Sequence, residues 1–193
     1  MFKQKVILAS QSPRRRELLH LAEIEFDVMV ADTDESFPAG LSFEETAIYI
    51  AKNKALAIAA QNKTGKIIIA ADTIVVCNDE IIGKPINEQD AVKIISTLSG
   101  NKHNVITGVY MVKNSHEIFF ADVTEVSFHK LTENQISYYV NKYKPYDKAG
   151  AYAIQEWIGV VGIKSVQGDF YNVMGLPVSR VVKAIDNLTM DNG

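Results

Sequence analysis

Ile67-Ile68-Ile69-Ala70-Ala71-Asp72-Thr73-Ile74-Val75-Val76 decides the fold. The apolar run from Lys66 to Val76 is broken only by Asp72 and Thr73. It reads as a strand buried on both faces, the kind found inside α/β sheets. A carboxylate inside such a run is costly unless it is paired or binds a metal. Asp72 is therefore a candidate for chemistry. The plain alternative is a strand that surfaces at a turn and leaves Asp72 in water.

Working outward, strands and helices intermix. Val6 to Ala9 reads as a short buried strand. Ser12 is placed as a helix N-cap and Pro13 as the first helical residue, with Leu18, Leu19 and Ala22 as the apolar face. Phe26, Val28 and Val30 alternate as a second strand. Ser42-Phe43-Glu44-Glu45 is a capping-box pattern that opens a long helix through Ala47, Ala51, Ala55 and Ile58. Asn78-Asp79-Glu80 reads as a turn before Ile81-Ile82. Asn87 to Leu98 is a capped helix closed by Gly100. Val105 to Val112 and Ile118 to Phe128 read as a hairpin, and Thr132 to Asn141 as a helix with capping-box spacing to Gln135. Lys144 to Gln155 is a polar, Gly-containing segment, Val160 to Val166 a late strand, and Pro177 to Asn187 a final amphipathic helix. This mixture predicts an α/β fold with a mixed sheet.

The bulk properties narrow the function. The chain has 193 residues, 47% of them hydrophobic and 22% charged, which fits one domain or one domain with two lobes. Its net charge is −3 and its pI about 5.8. A binder of long nucleic acid needs a broad basic surface, so no nucleic-acid polymer is expected as partner. A small anion needs only a local cluster of cations. Cys77, the one cysteine, reads as a small buried hydrophobe in a chain without an intrachain disulfide. No apolar run reaches the ~18 residues of a membrane span. Met1 to Val6 shows no signal-peptide core. No membrane association and a cytoplasmic location are the expectation.

Four constellations bear on chemistry. At Ser12-Pro13-Arg14-Arg15-Arg16 three cations sit at a helix start, where they oppose the dipole unless an anion binds. At ~100° per residue, Arg14 and Arg15 lie near the side of Leu18, whereas Arg16 points away. Arg14 and Arg15 are thus the phosphate candidates; the alternative is three solvated arginines paired with Glu17. Asp72 is the second constellation. The third is Asp32-Thr33-Asp34-Glu35, oxygen donors suited to hard Mg²⁺ or Mn²⁺, or simply a solvated acidic loop. The fourth is a set of lysines. Lys54 lies near the apolar side of its helix, Lys84 in Gly83-Lys84-Pro85, and Lys148 in Asp147-Lys148-Ala149-Gly150. Each of these lysines taken alone reads as a snorkelling or surface residue. There is no Walker-type loop and no Gly-x-Gly-x-x-Gly. The four histidines show no metal-ligand spacing.

Five segments, in order, resemble the Maf family of nucleoside triphosphate pyrophosphatases. Leu8-Ala9-Ser10-Gln11-Ser12-Pro13-Arg14-Arg15 resembles its opening motif, Ala71-Asp72-Thr73 the central one and Gly83-Lys84-Pro85 the next. Asp147-Lys148-Ala149-Gly150-Ala151-Tyr152-Ala153-Ile154-Gln155 and Asn172-Val173-Met174-Gly175-Leu176-Pro177 resemble the last two. The resemblance implies an α/β fold of the inosine-triphosphate-pyrophosphatase type: one domain over residues 1–193, with a mixed, bent sheet and two lobes around a cleft. It implies cleavage between the α and β phosphates, giving a monophosphate and pyrophosphate. It also implies a divalent metal, Mg²⁺ or Mn²⁺, and a homodimer.

Carried onto this chain, the resemblance places Arg14, Arg15, Lys54 and Lys84 on phosphate oxygens, with further hydrogen bonds from Ser10 and Ser12. It places the metal on Glu35 and Asp72. Asp72 is its proton acceptor, but a carboxylate with an ordinary pKa near ~3.9 is a weak base. Base, metal ligand or both remain open for Asp72. Arg14, Thr73 and Gln155 match the branch acting on dTTP and UTP, canonical or modified, at all three specificity positions. Thr73 and Gln155 would read the base or sugar. The competing reading is a nucleotide-binding regulator of cell division or septum formation without turnover. Such a binder has no need of Glu35 and Asp72 beside the cations.

Overall fold

The apolar run forms β3 (Ile68–Cys77), and its side chains are buried on both sides except at Asp72 and Thr73, which are half-buried. A computed structural model describes residues 5–190. The N-terminal expectation for Met1 to Gln4 lies outside the described residues. The hydrogen-bonded strand order is β2-β1-β3-β5-β6-β7, with β4 added to β3, in one seven-stranded sheet. By contacts the chain divides into two compact units. The first is Met1–Asp72, Thr107–Asp122 and Gly175–Gly193; the second is Thr73–Ile106 and Val123–Met174.

The first unit starts with β1 (Val6–Leu8), α1 (Pro13–Leu21), β2 (Phe26–Val28) and α2 (Phe43–Gln61). β1 pairs in parallel with β2, Val6 opposite Phe26, and with β3, Ile7 opposite Ile68. Parallel neighbours require a crossover connection, and α1 provides the one between β1 and β2. The Ser42 capping box is complete: Ser42 Oγ accepts the Glu45 N–H, and the Glu45 carboxylate accepts the Ser42 N–H. A cap of this kind contributes about 1 kcal/mol. The apolar face of α2 (Ala51, Ala55, Ile58) packs with Ile7, Ala9, Ile68, Ala70, Tyr110 and Val112 as one core. Gly108 sets how close the sheet comes to that helix. A Cβ there would lie 2.2 Å from the Ala47 carbonyl carbon, so any side chain would push backbone from backbone. α7 (Val178–Met190) closes this unit.

In the second unit β3 turns through Asn78-Asp79 into β4 (Glu80–Ile82), with Val75 opposite Ile82. Both turn residues have positive φ, +53° and +59°, the type I′ geometry whose twist matches a hairpin. α3 (Glu88–Leu98) and α4 (Glu133–Tyr143) are capped by Asn87 and Thr132. α3 packs on α4 and on a 3₁₀ turn at Ala149–Ala151. β5 (Lys102–Lys113) and β6 (His116–Phe128) run through both units, joined by Asn114-Ser115. The hairpin is thus longer than the alternation in the sequence suggests.

The sequence expectation for Val160 to Val166 needs correction. Residues Trp157–Gly162 form a helix, α5, and only Ile163–Gln167 form the strand, β7, antiparallel to β6. The Glu156 carbonyl accepts the Gly159 and Val160 N–H groups and closes a helical turn. A Cβ on Gly159 would lie 1.7 Å from the Ile154 carbonyl oxygen. The tight coil depends on that glycine, and the valine-rich pattern conceals it. α6 (Phe170–Met174) is five residues long, too short for a periodic signal. Among the described residues no helix is long and apolar enough to cross a membrane.

Candidate active site

In the first unit, the junction of β1 and α1 carries the first motif. Ser12 Oγ accepts the Arg15 N–H at 3.5 Å, and Pro13 is the first helical residue, as the sequence predicts. Ser10 is buried, and its Oγ accepts the Ser12 N–H at 3.2 Å and an Arg15 Nη1 hydrogen at 3.0 Å. Arg15 Nε donates to the Gly175 carbonyl at 2.7 Å. Arg15 thereby ties the first motif to the last, a task that spacing does not reveal. The helical-phase argument also holds: Arg14 and Arg15 are half-buried, and Arg16 is exposed. The first turn of α1 carries no acid.

Lys54, on α2, sits between two acids. Its Nζ is 2.6 Å from Asp72 Oδ1 and 2.7 Å from Glu35 Oε1. The side chains of Lys54 and Asp72 are 18% and 15% exposed, that of Glu35 53%. One flank of the cluster is therefore open to water. Burial pulls the Arg15 guanidinium below its ordinary pKa; Asp72 opposes that shift, Arg14 adds to it, and Glu35 opposes it. Asp72, Arg14 and Glu35 thus lie within electrostatic reach of Arg15. The acidic loop divides its labour. Asp34 accepts from the Ser36 N–H at 2.9 Å and from its hydroxyl at 2.6 Å, which lowers the Asp34 pKa. Glu35 alone of the two reaches Lys54.

Glu35 and Asp72 suit a hard divalent cation in type and number. Mg²⁺ is commonly bound by one or two carboxylates, with water and substrate phosphates completing the shell. Among the described residues no group of three or more His, Cys, Asp or Glu could hold a metal by itself. The pair could hold an ion whose shell is completed from outside the protein, and Lys54 meets both carboxylates.

The remaining predicted residues belong to the second unit. Thr73 follows Asp72 in β3 and is half-buried; Lys84 and Gln155 are exposed. The Gly150 N–H donates to the Gly83 carbonyl at 3.2 Å, which brings the loop of Lys84 to the segment that carries Gln155. Lys148 departs from the surface reading. It is 8% exposed, with Nζ 2.7 Å from Asp147 Oδ1 and 3.6 Å from Glu156 Oε1. Asp147 adjoins it in sequence, but nothing local marks Glu156 as its second partner.

A family profile described as "Maf-like protein" matches residues 5–188. The chain belongs to the Maf family. Maf relatives named dTTP/UTP pyrophosphatase include a protein of Cytophaga hutchinsonii, 47% identical, with 95% of this chain and 84% of the relative covered. One from Parabacteroides distasonis is 45% identical, with 95% of both covered. One from Porphyromonas gingivalis is 44% identical, with 98% of this chain and 97% of the relative covered. Among solved structures, the Ham1 protein of Staphylococcus aureus aligns at 15% identity with a TM-score of 0.43, covering 65% of this chain and 72% of that one. That likeness is too distant to bear on the chemistry.

Proposed function

We propose that this Maf protein is a pyrophosphatase of dTTP and UTP, modified pyrimidine triphosphates included, releasing the monophosphate and pyrophosphate. The observation that carries the reading is Lys54 bridging Glu35 and Asp72 beside Arg14 and Arg15, in a chain whose 43–47% identical relatives bear that name. Preorganised cations aimed at phosphate oxygens offset charge that builds as the anhydride breaks. Arg14 and Lys54 bind those oxygens. Arg15, already tied to Ser10 and Gly175, holds the helix start rigid and adds charge. Lys84, exposed in its loop, is the remaining candidate for phosphate.

Asp72, bonded by Lys54, is the carboxylate assigned to the attacking water. Asp72 takes the proton of that water. A divalent ion held by Glu35 and Asp72 supplies charge neutralisation and a more acidic water when bound. Thr73 and Gln155 read the base. A cytoplasmic homodimer accompanies this reading on the strength of the family resemblance.

The deciding experiment measures pyrophosphate release from dTTP, UTP, CTP and purine triphosphates, with Mg²⁺, with Mn²⁺ and with chelator. Metal-dependent turnover greatest on dTTP and UTP is expected. Tight binding of these nucleotides without release would favour the regulatory reading instead.

A further inference from the structure

The segment Asp147 to Glu156 is held by more contacts than a surface loop needs. Tyr139, fully buried on α4, donates its hydroxyl hydrogen to Glu156 Oε2 and accepts the Ala153 N–H at 3.2 Å. Lys148 pairs with Glu156 from within the segment. On the other side Tyr152 shares a 2.7 Å hydrogen bond with buried His103. Between these anchors Gly150 and Ala151 both adopt positive φ, +70° and +57°. A Cβ on Gly150 would lie 3.0 Å from Val75 Cγ2, and an alanine at positive φ is itself strained. A strained segment pinned on both sides is characteristic of a site that must present a group in one position. The group at its end is Gln155, adjacent to Glu156 and exposed.

We infer that Tyr139, Glu156 and Lys148 are positioning residues that fix the backbone of Asp147 to Glu156, so that Gln155 meets the nucleobase at one distance and angle. Base selectivity then depends on three side chains that do not touch the nucleotide. This rests on the reading of Gln155 as a base-recognising residue. The chemistry is that of a side-chain amide pairing with the carbonyl and N–H edge of a uracil-type base. A hydrogen-bonding site discriminates only when its donor and acceptor are held in place. Tyr139→Phe removes both hydroxyl bonds. Glu156→Gln keeps an acceptor for Tyr139 but removes the ion pair. Lys148→Met removes the cation, and Lys148→Arg restores it.

Binding of non-hydrolysable α,β-imido UTP and CTP, and of inorganic tripolyphosphate, is measured by calorimetry on the full chain beside the melting temperature. The expected result for Tyr139→Phe and Lys148→Met is an about tenfold narrower preference for UTP over CTP analogue, the scale of one hydrogen bond. Tripolyphosphate, which has no base, should bind unchanged, and Lys148→Arg should recover most of the preference. An unchanged preference accompanied by a lower melting temperature overturns the inference, because the network is then structural alone. Equal weakening of all three ligands overturns it as well. Glu156→Gln gives the same readout should either larger change prevent folding. Wild-type protein that does not prefer the UTP analogue refutes the dTTP and UTP reading itself, a failure seen before any variant is made.

Discussion

Lys54 and Lys148 each face two carboxylates, yet their surroundings give them different work. Lys54 touches Asp72 at 2.6 Å and Glu35 at 2.7 Å, with Glu35 half in water. Its partners are all ions, and arginines stand within electrostatic reach. Ions at an open flank can exchange one counter-charge for another at modest cost. Lys148 has a side chain only 9% exposed. Its partner Glu156 is bonded by Tyr139, which also takes a backbone N–H. Exchange there would leave a charge short of its partner in a largely buried place. A lysine between two acids is thus no site in itself. Solvent access and the neutral groups around it decide whether it can trade partners.

The comparison can be broken at several points. Asp72→Asn should abolish turnover by about 10²–10⁴-fold, the worth of a general base, while circular dichroism remains native. A folded variant with near-native rates would remove Asp72 from the chemistry. Next come the two lysines. Lys148→Met should destabilise by about 2–3 kcal/mol, since it strands Glu156 in a largely buried place. Lys54→Met should cost about 1 kcal/mol, because Arg15 stays within electrostatic reach of Asp72 and Glu35 lies half in water. Urea unfolding of both decides; equal losses would show the two clusters to be alike.

Acidification probes the locked segment. Burial lowers His103 from 6.5 to about 4, so the folded protein resists its protonation. Below pH 6.5 the unfolded chain takes up a proton that the folded chain refuses. Stability should therefore fall as pH drops from about 6.5 to about 4 and then level off, by up to about 3 kcal/mol from this residue. A His103→Gln variant should show a flatter stability profile over that window. An unchanged profile would mean that His103 protonates without cost.

Smaller effects follow. Gln155→Glu should cut the preference for UTP over CTP about tenfold, one hydrogen bond's worth; an unchanged substrate ranking would sink its role. Arg16→Ala, exposed on the outer side of α1, should change turnover less than twofold and stability by under ~0.5 kcal/mol. A large loss of rate would show that the helix presents all three arginines to substrate.

What could be read from the sequence was local. Ser12 and Pro13 set the start of α1, the Ser42 and Thr132 boxes set α2 and α4, and the apolar run around Asp72 set the central strand, because caps and periodicity act over a few residues. Helical phase alone separated Arg14 and Arg15 from Arg16. The ordered motifs indicated the family. The partners reached over long distances in the chain came from the tertiary structure: Arg15 on Gly175, Lys54 on both Glu35 and Asp72, Tyr139 on Glu156 and Ala153. The same structure turned Val160 to Gly162 into a helix, through a close approach at Gly159 that a valine-rich pattern cannot show. Tertiary structure decided these because a side chain's charge and hydrogen bonds are fixed by whatever is brought beside it. Lys148 shows the difference: its type and neighbours in sequence read as a surface lysine, and only burial against Glu156 made it part of the fold.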